Sequence, residues 1–394
     1  MNVKILFLIQ NYSIIDGSSM VLYEYIMENR SISNYKIICR RYKDKQLTVN
    51  LASINTFKEL EQEIRIGNYD IIHYFKTHGY DLFDWTIKAL ECLNLSIPIL
   101  TTICQRPSYR GMLLSPKEIK MSNILVFIDK ASFCDNLYPF IPTSKKRLNY
   151  FGRQKSNIEA TKKILSTHSK DVNYTIIGRG SSLNKCPHNL IEVFDRIRIP
   201  NKKLVVVGIT SNSWLHKISL NREDVILIPP VPYEEWLKIC NSFDIFWYYI
   251  PKTSHSSIDG TLGDAMLLEK PVVYMGSDAP KERFSEGDGY VAESEDEMVN
   301  YLETLGADEQ LRSNIGKKAR SRIISTFSLE NTICNYNQYY CELIKSNKAV
   351  YVDIPFRYKL YFVRNSFKSI LRNKISGTFI EVLLMECKTL IGKL

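Results

Sequence analysis

Several features that would settle a function early are missing from this chain. No stretch approaches the ~18 consecutive apolar residues needed to span a bilayer, so there is no candidate membrane-spanning helix. The opening MNVKILFLIQNYS has a short apolar run without a small-residue cleavage site. It therefore reads as a first buried strand and not as a signal peptide. There is no CxxC pair: nine cysteines stand singly, and an odd number of them argues against a disulfide framework. Scattered free thiols predict a reducing, cytoplasmic compartment. No Cys/His spacing fits zinc, and no DxD-type acid pair is placed for another metal, so no metal and no cofactor are expected. Solenoid-period repeats and low-complexity tracts are absent too. Acid is missing from one segment in particular: between Ile354 and Ser376 stand Arg357, Lys359, Arg364, Lys368, Arg372 and Lys374 with no Asp or Glu. That segment holds six of the ten net positive charges, so the rest of the chain is only mildly basic.

What is present is a regular alternation. Hydrophobic residues make up 45% and charged residues 24% of the 394, enough apolar material for two cores. The short runs KILFLI, YKIICR, YDIIHYF, IPILTTI and NILVFID read as strands. Between them SSMVLYEYIMEN, FKELEQEIRIG and DLFDWTIKALECLN have helical spacing. Such alternation predicts βα units and a mostly parallel sheet. It fades into a polar, lysine-rich stretch and then resumes with NYTIIG, KLVVVG, VILIPP, DIFWYY and PVVYMG, again separated by helical patterns. The expected fold is α/β: two Rossmann-like βα domains facing across a cleft, followed by a helical tail. The expected boundaries are 1–150, a linker at 151–172, a second domain at 173–345 and a basic tail at 346–394. In the last stretch Ile380, Leu383, Leu384, Cys387, Ile391 and Leu394 are spaced as one helix face.

Open parallel sheets bind ligands at the carboxyl ends of their strands. The sequence GRGSSLNKCPHNLIEVF places Gly178, Arg179 and Lys185 at such an end, just ahead of a helix expected from about His188. Two cations beside helix N-terminal amides suit a diphosphate, and would stabilise charge developing on a diphosphate leaving group. Taken singly, either residue is more often a solvent-facing loop cation. A second stretch, SHSSIDGTLGDAMLLEKPVV, runs from a Ser/Gly-rich loop through Asp264 into a short helix and a buried strand. Asp264 can cap that helix or accept hydrogen bonds from vicinal sugar hydroxyls. The loop amides at Ile258, Asp259 and Gly260 can hold a second polar group.

Together these stretches resemble the retaining, GT-B-fold glycosyltransferases of family 4. The resemblance is carried by GR-x5-K and by the acid preceding AM…KPVV, with LVVVG, VILIPPVPYEEWLKICNSFDIFWYY, ERFSEGDGYV and KKARSRIISTFS in matching order. It covers nearly all of 173–345 and, more loosely, 1–145 through IIDGSSMVLYEYI and YDIIHYF. It implies a nucleotide-sugar donor, transfer with retention and no metal. It also implies that Arg179 and Lys185 grip the donor diphosphate and that Asp264 contacts the ribose. The family's first motif glutamate falls on Ser256, and Asp259 lies nearby. The N-terminal glycine pair becomes Gly17-Ser18. A first-domain histidine aligns with Cys104, or with Gln105 if the loop is shifted. Glu282 falls where the family has an acid near the donor sugar.

His73, at the end of the YDIIH strand, is a weaker candidate for donor or acceptor, and a core histidine is its ordinary reading. The basic cluster at Arg40, Arg41, Lys43 and Lys45 reads as a solvated face. The leading expectation is a cytoplasmic glycosyltransferase acting on a growing cell-surface glycan or its lipid-linked precursor. The expected partners are thus a nucleotide-sugar donor and a glycan or lipid-linked acceptor. The basic tail, interleaved with Phe356, Tyr358, Tyr361, Phe362 and Phe367, either contacts an anionic inner leaflet or packs on the first domain. The alternative is a catalytically degenerate binding or partner subunit of the same fold. Nucleic acid is not an expected partner, because the charge is confined to one tail and no recognised module appears.

Overall fold

The structure is a computed structural model that describes residues 3–12, 17–42, 50–77, 81–104, 113–153, 174–180, 182–211, 213–254, 259–346 and 351–373. Ile258, Gln105, Ser256, the apolar stripe of 380–394 and most of the expected linker lie outside these residues. There are two compact units. One is Met1–Tyr150 with Ile333–Leu394, and the other is Phe151–Thr332.

The first unit is built on a seven-stranded sheet. Its strands are β1 (Lys4–Tyr12), β2 (Asn34–Tyr42), β3 (Leu51–Ser53), β4 (Ile71–Lys76), β5 (Ile99–Ile103), β6 (Ile124–Phe127) and β7 (Lys146–Leu148). Their order is β3-β2-β1-β4-β5-β6-β7, and every pairing is parallel. The continuous apolar runs follow from this. β4, β5 and β6 are buried at every position, as strands with both faces covered must be. The helix Phe57–Gly67 shows how local sequence fixes an element. Thr56 accepts from the amide of Glu59 at its start, and Asn68 adopts φ 47° at its end. Leu60 and Ile64, one turn apart, face the core.

The second unit has six parallel strands. They are β8 (Thr175–Gly180), β9 (Lys202–Val207), β10 (Val225–Ile228), β11 (Ile245–Tyr249), β12 (Val272–Met275) and β13 (Tyr290–Val291), in the order β10-β9-β8-β11-β12-β13. Each sheet reverses its direction of growth once, between β1 and β4 in one and between β8 and β11 in the other. That switch point is where doubly wound sheets bind ligands. Both sheets are Rossmann-like, as the alternation of runs and helices predicts.

The helix Leu329–Lys345 begins in the second unit, but from Ile333 onward it belongs to the first. The sequence kept 173–345 together because apolar periodicity runs through the helix without a break. The helix Phe356–Asn373 also belongs to the first unit. Its residues Tyr358 and Phe362 are buried, together with Val352 and Ile354, against Leu113, Leu114, Tyr138 and Ile141. The Tyr358 hydroxyl donates to the carbonyl of Leu114 at 2.6 Å. The segment from Val352 to Phe362 therefore packs on its own unit, and the opposite face of the helix, at Arg357, Leu360, Tyr361 and Arg364, is exposed.

Candidate functional site

The strongest cluster of charge lies at the switch point of the second sheet. Arg179 is the penultimate residue of β8 and is fully buried. Its Nη1 donates to the carbonyl of Tyr249, the last residue of β11, at 2.8 Å. Its Nη2 donates to the carbonyl of Lys185 at 3.3 Å. The guanidinium thus ties together the two strands flanking the switch point and the turn that carries Lys185. Its Nε is buried without a hydrogen-bond partner. Burial pushes its pKa down, because the interior disfavours an uncompensated charge.

Lys185 lies in a single 3-10 turn, Leu183–Lys185, and its Nζ pairs with Asp259 Oδ1 at 2.6 Å. The helix expected from about His188 begins at Leu190 and runs only to Arg196, with no side-chain cap. The His188 ring packs on Trp214 instead, with centroids 4.8 Å apart. The helix that does lie beside the charges is Gly260–Leu267. Asp259 sits at its N-cap but makes no capping hydrogen bond, since its Oδ1 goes to Lys185. The hydroxyl of Thr261 donates to the carbonyl of Gly180 at 3.1 Å, which docks the first turn of this helix on the end of β8.

Asp264 lies one turn further along and is 1% exposed. Its Oδ1 accepts from Arg153 Nε at 3.0 Å and from the Tyr233 hydroxyl at 3.1 Å. Its Oδ2 accepts from Trp236 Nε1 at 2.9 Å. The sequence leaves Asp264 either as a cap of this helix or as an acceptor for sugar hydroxyls. The structure instead gives it three protein donors and buries it. Gly178, expected in the donor site, is a packing residue. A Cβ added there would lie 2.1 Å from the Phe243 ring. Glu282 is half-buried at the C-cap of the turn Asp278–Lys281.

Two arginines of this cluster went unnoticed in the sequence. Arg153 reaches Asp264 from far along the chain, and its Nη2 would lie 1.9 Å from a Cβ placed on Gly260. Arg283 is 1% exposed and stands over the Phe327 ring at 4.9 Å. Its Nη1 would lie 3.1 Å from a Cβ on Gly263. Glycines at 260 and 263 let both guanidiniums approach the helix backbone closely. Burial, then the like charge of Arg153, push Arg283 down to about 9, so at neutral pH it is still a cation.

The first-unit candidates belong to the other compact unit. His73 is fully buried in a closed hydrogen-bond chain. Tyr25 donates to the Tyr340 hydroxyl at 3.2 Å, Tyr340 meets His73 Nδ1 at 2.7 Å, and His73 Nε2 meets Thr102 Oγ1 at 2.8 Å. Thr102 in turn meets the Tyr336 hydroxyl at 2.9 Å. Tyr25 spends its proton on Tyr340, which directs the Tyr340 proton to Nδ1 and leaves the imidazole proton on Nε2. Burial holds the ring neutral, with its pKa well below the usual value. His73 is thus a satisfied core histidine and not a donor or acceptor contact. Cys104, just past β5, is buried, with its Sγ 3.7 Å from the carbonyl of Thr102. Gly17 opens the helix Gly17–Glu28, and Ser18 follows it in the first turn. Among the described residues, no group of three or more His, Cys, Asp or Glu is arranged to hold a metal ion, and no helix is long and apolar enough to cross a membrane.

Residues 157–322 match the family described as glycosyl transferases group 1. No curated protein matches the chain in sequence. HepE from Anabaena, solved in complex with UDP and glucose, superposes with a TM-score of 0.70 at 15% identity, over 87% of this chain and 100% of its own. Sucrose-phosphate synthase from Thermosynechococcus elongatus gives 0.66 at 12% identity, over 87% and 99%. WaaG, a glycosyltransferase involved in lipopolysaccharide biosynthesis, gives 0.60 at 12%, over 84% and 99%. The likeness spans both units, and the fold is GT-B.

Proposed function

We propose that the protein is a metal-independent, retaining glycosyltransferase of the family 4 type, which moves a sugar from a nucleotide-sugar to a glycan or lipid-linked glycan during cell-surface polysaccharide synthesis. The observation that carries this reading is Arg179. It is a fully buried guanidinium at the sheet's switch point, held only by main-chain carbonyls, with one buried N–H still unsatisfied. Buried charges that lack a carboxylate are costly unless a ligand compensates them. A diphosphate does so, and no metal is needed for that balance. The match to glycosyl transferases group 1 over 157–322 and the UDP bound by HepE support the choice of donor. The lipopolysaccharide role of WaaG supports the choice of acceptor class.

In this reading the bond from sugar C1 to the diphosphate oxygen breaks while the acceptor hydroxyl attacks C1 from the same face. The hydroxyl proton passes to the departing phosphate oxygen. Arg179 and Lys185 stabilise the charge that builds there, with Lys185 exchanging Asp259 for phosphate. The family resemblance puts Asp259, Gly260 and Glu282 near the donor sugar.

The test is a thermal-shift screen of nucleoside diphosphates and their sugars, run with a chelator, on the wild type and Lys185→Ala. A ligand at about 100 times its Kd stabilises by about 2.7 kcal/mol, so a true donor raises the midpoint clearly. The expected result is a shift with one base and one sugar, sharply reduced in the variant, and turnover lowered about 10²–10³-fold. A shift that requires a divalent metal, near-normal turnover by Lys185→Ala, or no shift with any nucleotide would each overturn part of the reading.

A second reading, a non-catalytic donor-binding subunit, is favoured by one observation: Asp264 is buried and already accepts from three protein donors. Donor binding without turnover across a broad acceptor panel decides for it.

The tail supports a peripheral position on the inner membrane face. Arg357, Leu360, Tyr361 and Arg364, spaced as one helix face, are exposed, opposite buried Tyr358 and Phe362. Aromatic and aliphatic groups flanked by cations suit the headgroup region of an anionic bilayer. Each cation is worth about 1 kcal/mol there, so Arg357→Ser with Arg364→Ser weakens binding to phosphatidylglycerol vesicles roughly tenfold or more. Vesicle binding indifferent to salt and to lipid charge would refute this.

A further inference from the structure

The donor reading uses Arg179 and Lys185, but the cluster around the Gly260–Leu267 helix contains more cations than it uses. Arg153, Arg179, Lys185 and Arg283 belong to it, and among the described residues Asp264, Asp259 and Glu282 are the acids whose charge acts on Arg283. Asp259 is bound to Lys185 and Asp264 to Arg153. Arg283 makes no ion pair with any described carboxylate. Its Nε and Nη1 are buried and have no hydrogen-bond partner, although the residue is 1% exposed. The ring of Phe327 covers one face of the guanidinium and orients it without satisfying its N–H groups.

The helix beside Arg283 points the same way. Its N-cap Asp259 does not cap it, and no acid stands in its first turn. Its first amides therefore keep their partial positive charge without a side-chain acceptor. Gly263 leaves room for Arg283 Nη1, which would make a tight 3.1 Å contact with any Cβ there. A fixed, planar donor fork beside uncapped helix amides matches the oxygens of a phosphoryl group.

We propose that Arg283 is a further oxyanion-binding residue, which receives a phosphoryl oxygen of the donor against the first turn of the Gly260–Leu267 helix. This rests on the nucleotide-sugar reading and extends it to a residue that neither the motif spacing nor the family resemblance marks. Among the described residues neither Arg179 nor Arg283 is in an ion pair, and each has a buried N–H without a partner, so the negative charge of a bound phosphoryl group would offset theirs. The neighbouring acids keep Lys185 and Arg153 in place for the same ligand.

The test uses the full chain, with titration calorimetry of inorganic pyrophosphate and of UDP, and thermal melting of the free protein. The variants are Arg283→Met, which keeps the bulk and removes the charge, and Arg283→Lys, which keeps the charge and loses the fork. Arg283→Met is expected to weaken pyrophosphate and UDP at least tenfold, with Arg283→Lys intermediate. It is also expected to melt at or above the wild type when free, because it removes an uncompensated buried cation. A purely structural arginine gives the opposite pattern, a lower melting temperature with unchanged affinity in the folded fraction, and that result overturns the inference. Wild-type affinity in Arg283→Met overturns it too. If the wild type binds pyrophosphate but not UDP, and the variant does not bind pyrophosphate, Arg283 keeps its role and the nucleotide-sugar reading fails. If the wild type binds neither, the oxyanion site itself is refuted.

Discussion

His73 in the first unit and Arg283 in the second are equally hidden from solvent, at 0% and 1% exposure, and both are titratable. Around His73 every ring nitrogen and hydroxyl of the chain from Asn29 to Tyr336 has a partner. Around Arg283 two donors have none. The contrast extends beyond this pair. Among the described residues, the buried side-chain nitrogens that lack partners belong to Arg179, Arg283 and Arg322, all in the second unit, whereas the unsatisfied atoms of the first unit are oxygens. A closed network stabilises and specifies one core arrangement, because nothing is left to gain from a ligand. A cationic cluster with spare donors holds its free energy in reserve for an anion. Burial alone therefore does not separate a structural polar residue from a binding one, but the hydrogen-bond account does.

The largest expected effect comes from opening the satisfied part of the second unit. Asp264→Ala removes the buried carboxylate that pairs with Arg153 and whose charge also favours the neighbouring Arg283 cation. Removing one partner of a buried pair costs about 3–5 kcal/mol. Chemical denaturation should show a loss of that size, and pyrophosphate should restore part of it by compensating the freed guanidinium. A loss below about 1 kcal/mol, on the surface-pair scale, would mean that the pair is solvated and the cluster less confined than its geometry indicates.

The parts of this layout that could be read from the chain share a physical property: they are local. Both parallel sheets announce themselves because strands covered on both faces are apolar without interruption, as in β4 to β6 and in IFWYY of β11. The short strands β3, β7 and β13 carry no such run, since LAS, KRL and YV are half-buried edge or connecting segments. The position of Arg179 at a strand end, with Lys185 in the turn that follows, was legible because a glycine-flanked arginine closes an apolar run. Arg153 and Arg283 were not, because what makes them important is remote. Arg153 meets an aspartate more than a hundred residues away, and Arg283 is oriented by Gly263 and Phe327. The acid at 264 was legible as a helix residue, but the side it faces depends on Tyr233 and Trp236 in another helix. Single-sequence spacing cannot carry such information, because the pairs form only once the sheet has brought them together.

The smaller effect belongs to the closed network, and pH sharpens it. His73→Phe keeps the ring volume but breaks the links to Tyr340 and Thr102, for a cost of about 1–3 kcal/mol at neutral pH. Pyrophosphate affinity should be unchanged, since the network contains no spare donor. The folded-state pKa of His73 lies well below the 6.5 of a free histidine, so the unfolded chain binds a proton there first as the solution is acidified. The wild type is therefore at full advantage above about pH 6.5 and loses stability below it, by about 1.4 kcal/mol per pH unit from this one group. The phenylalanine variant lacks that proton uptake, so the gap between the two denaturation midpoints should close as pH falls from 6.5 toward 5. Parallel midpoints across that range would mean that His73 is protonated inside the fold. The chain of hydroxyls would then be holding a charge, and the contrast with Arg283 would disappear.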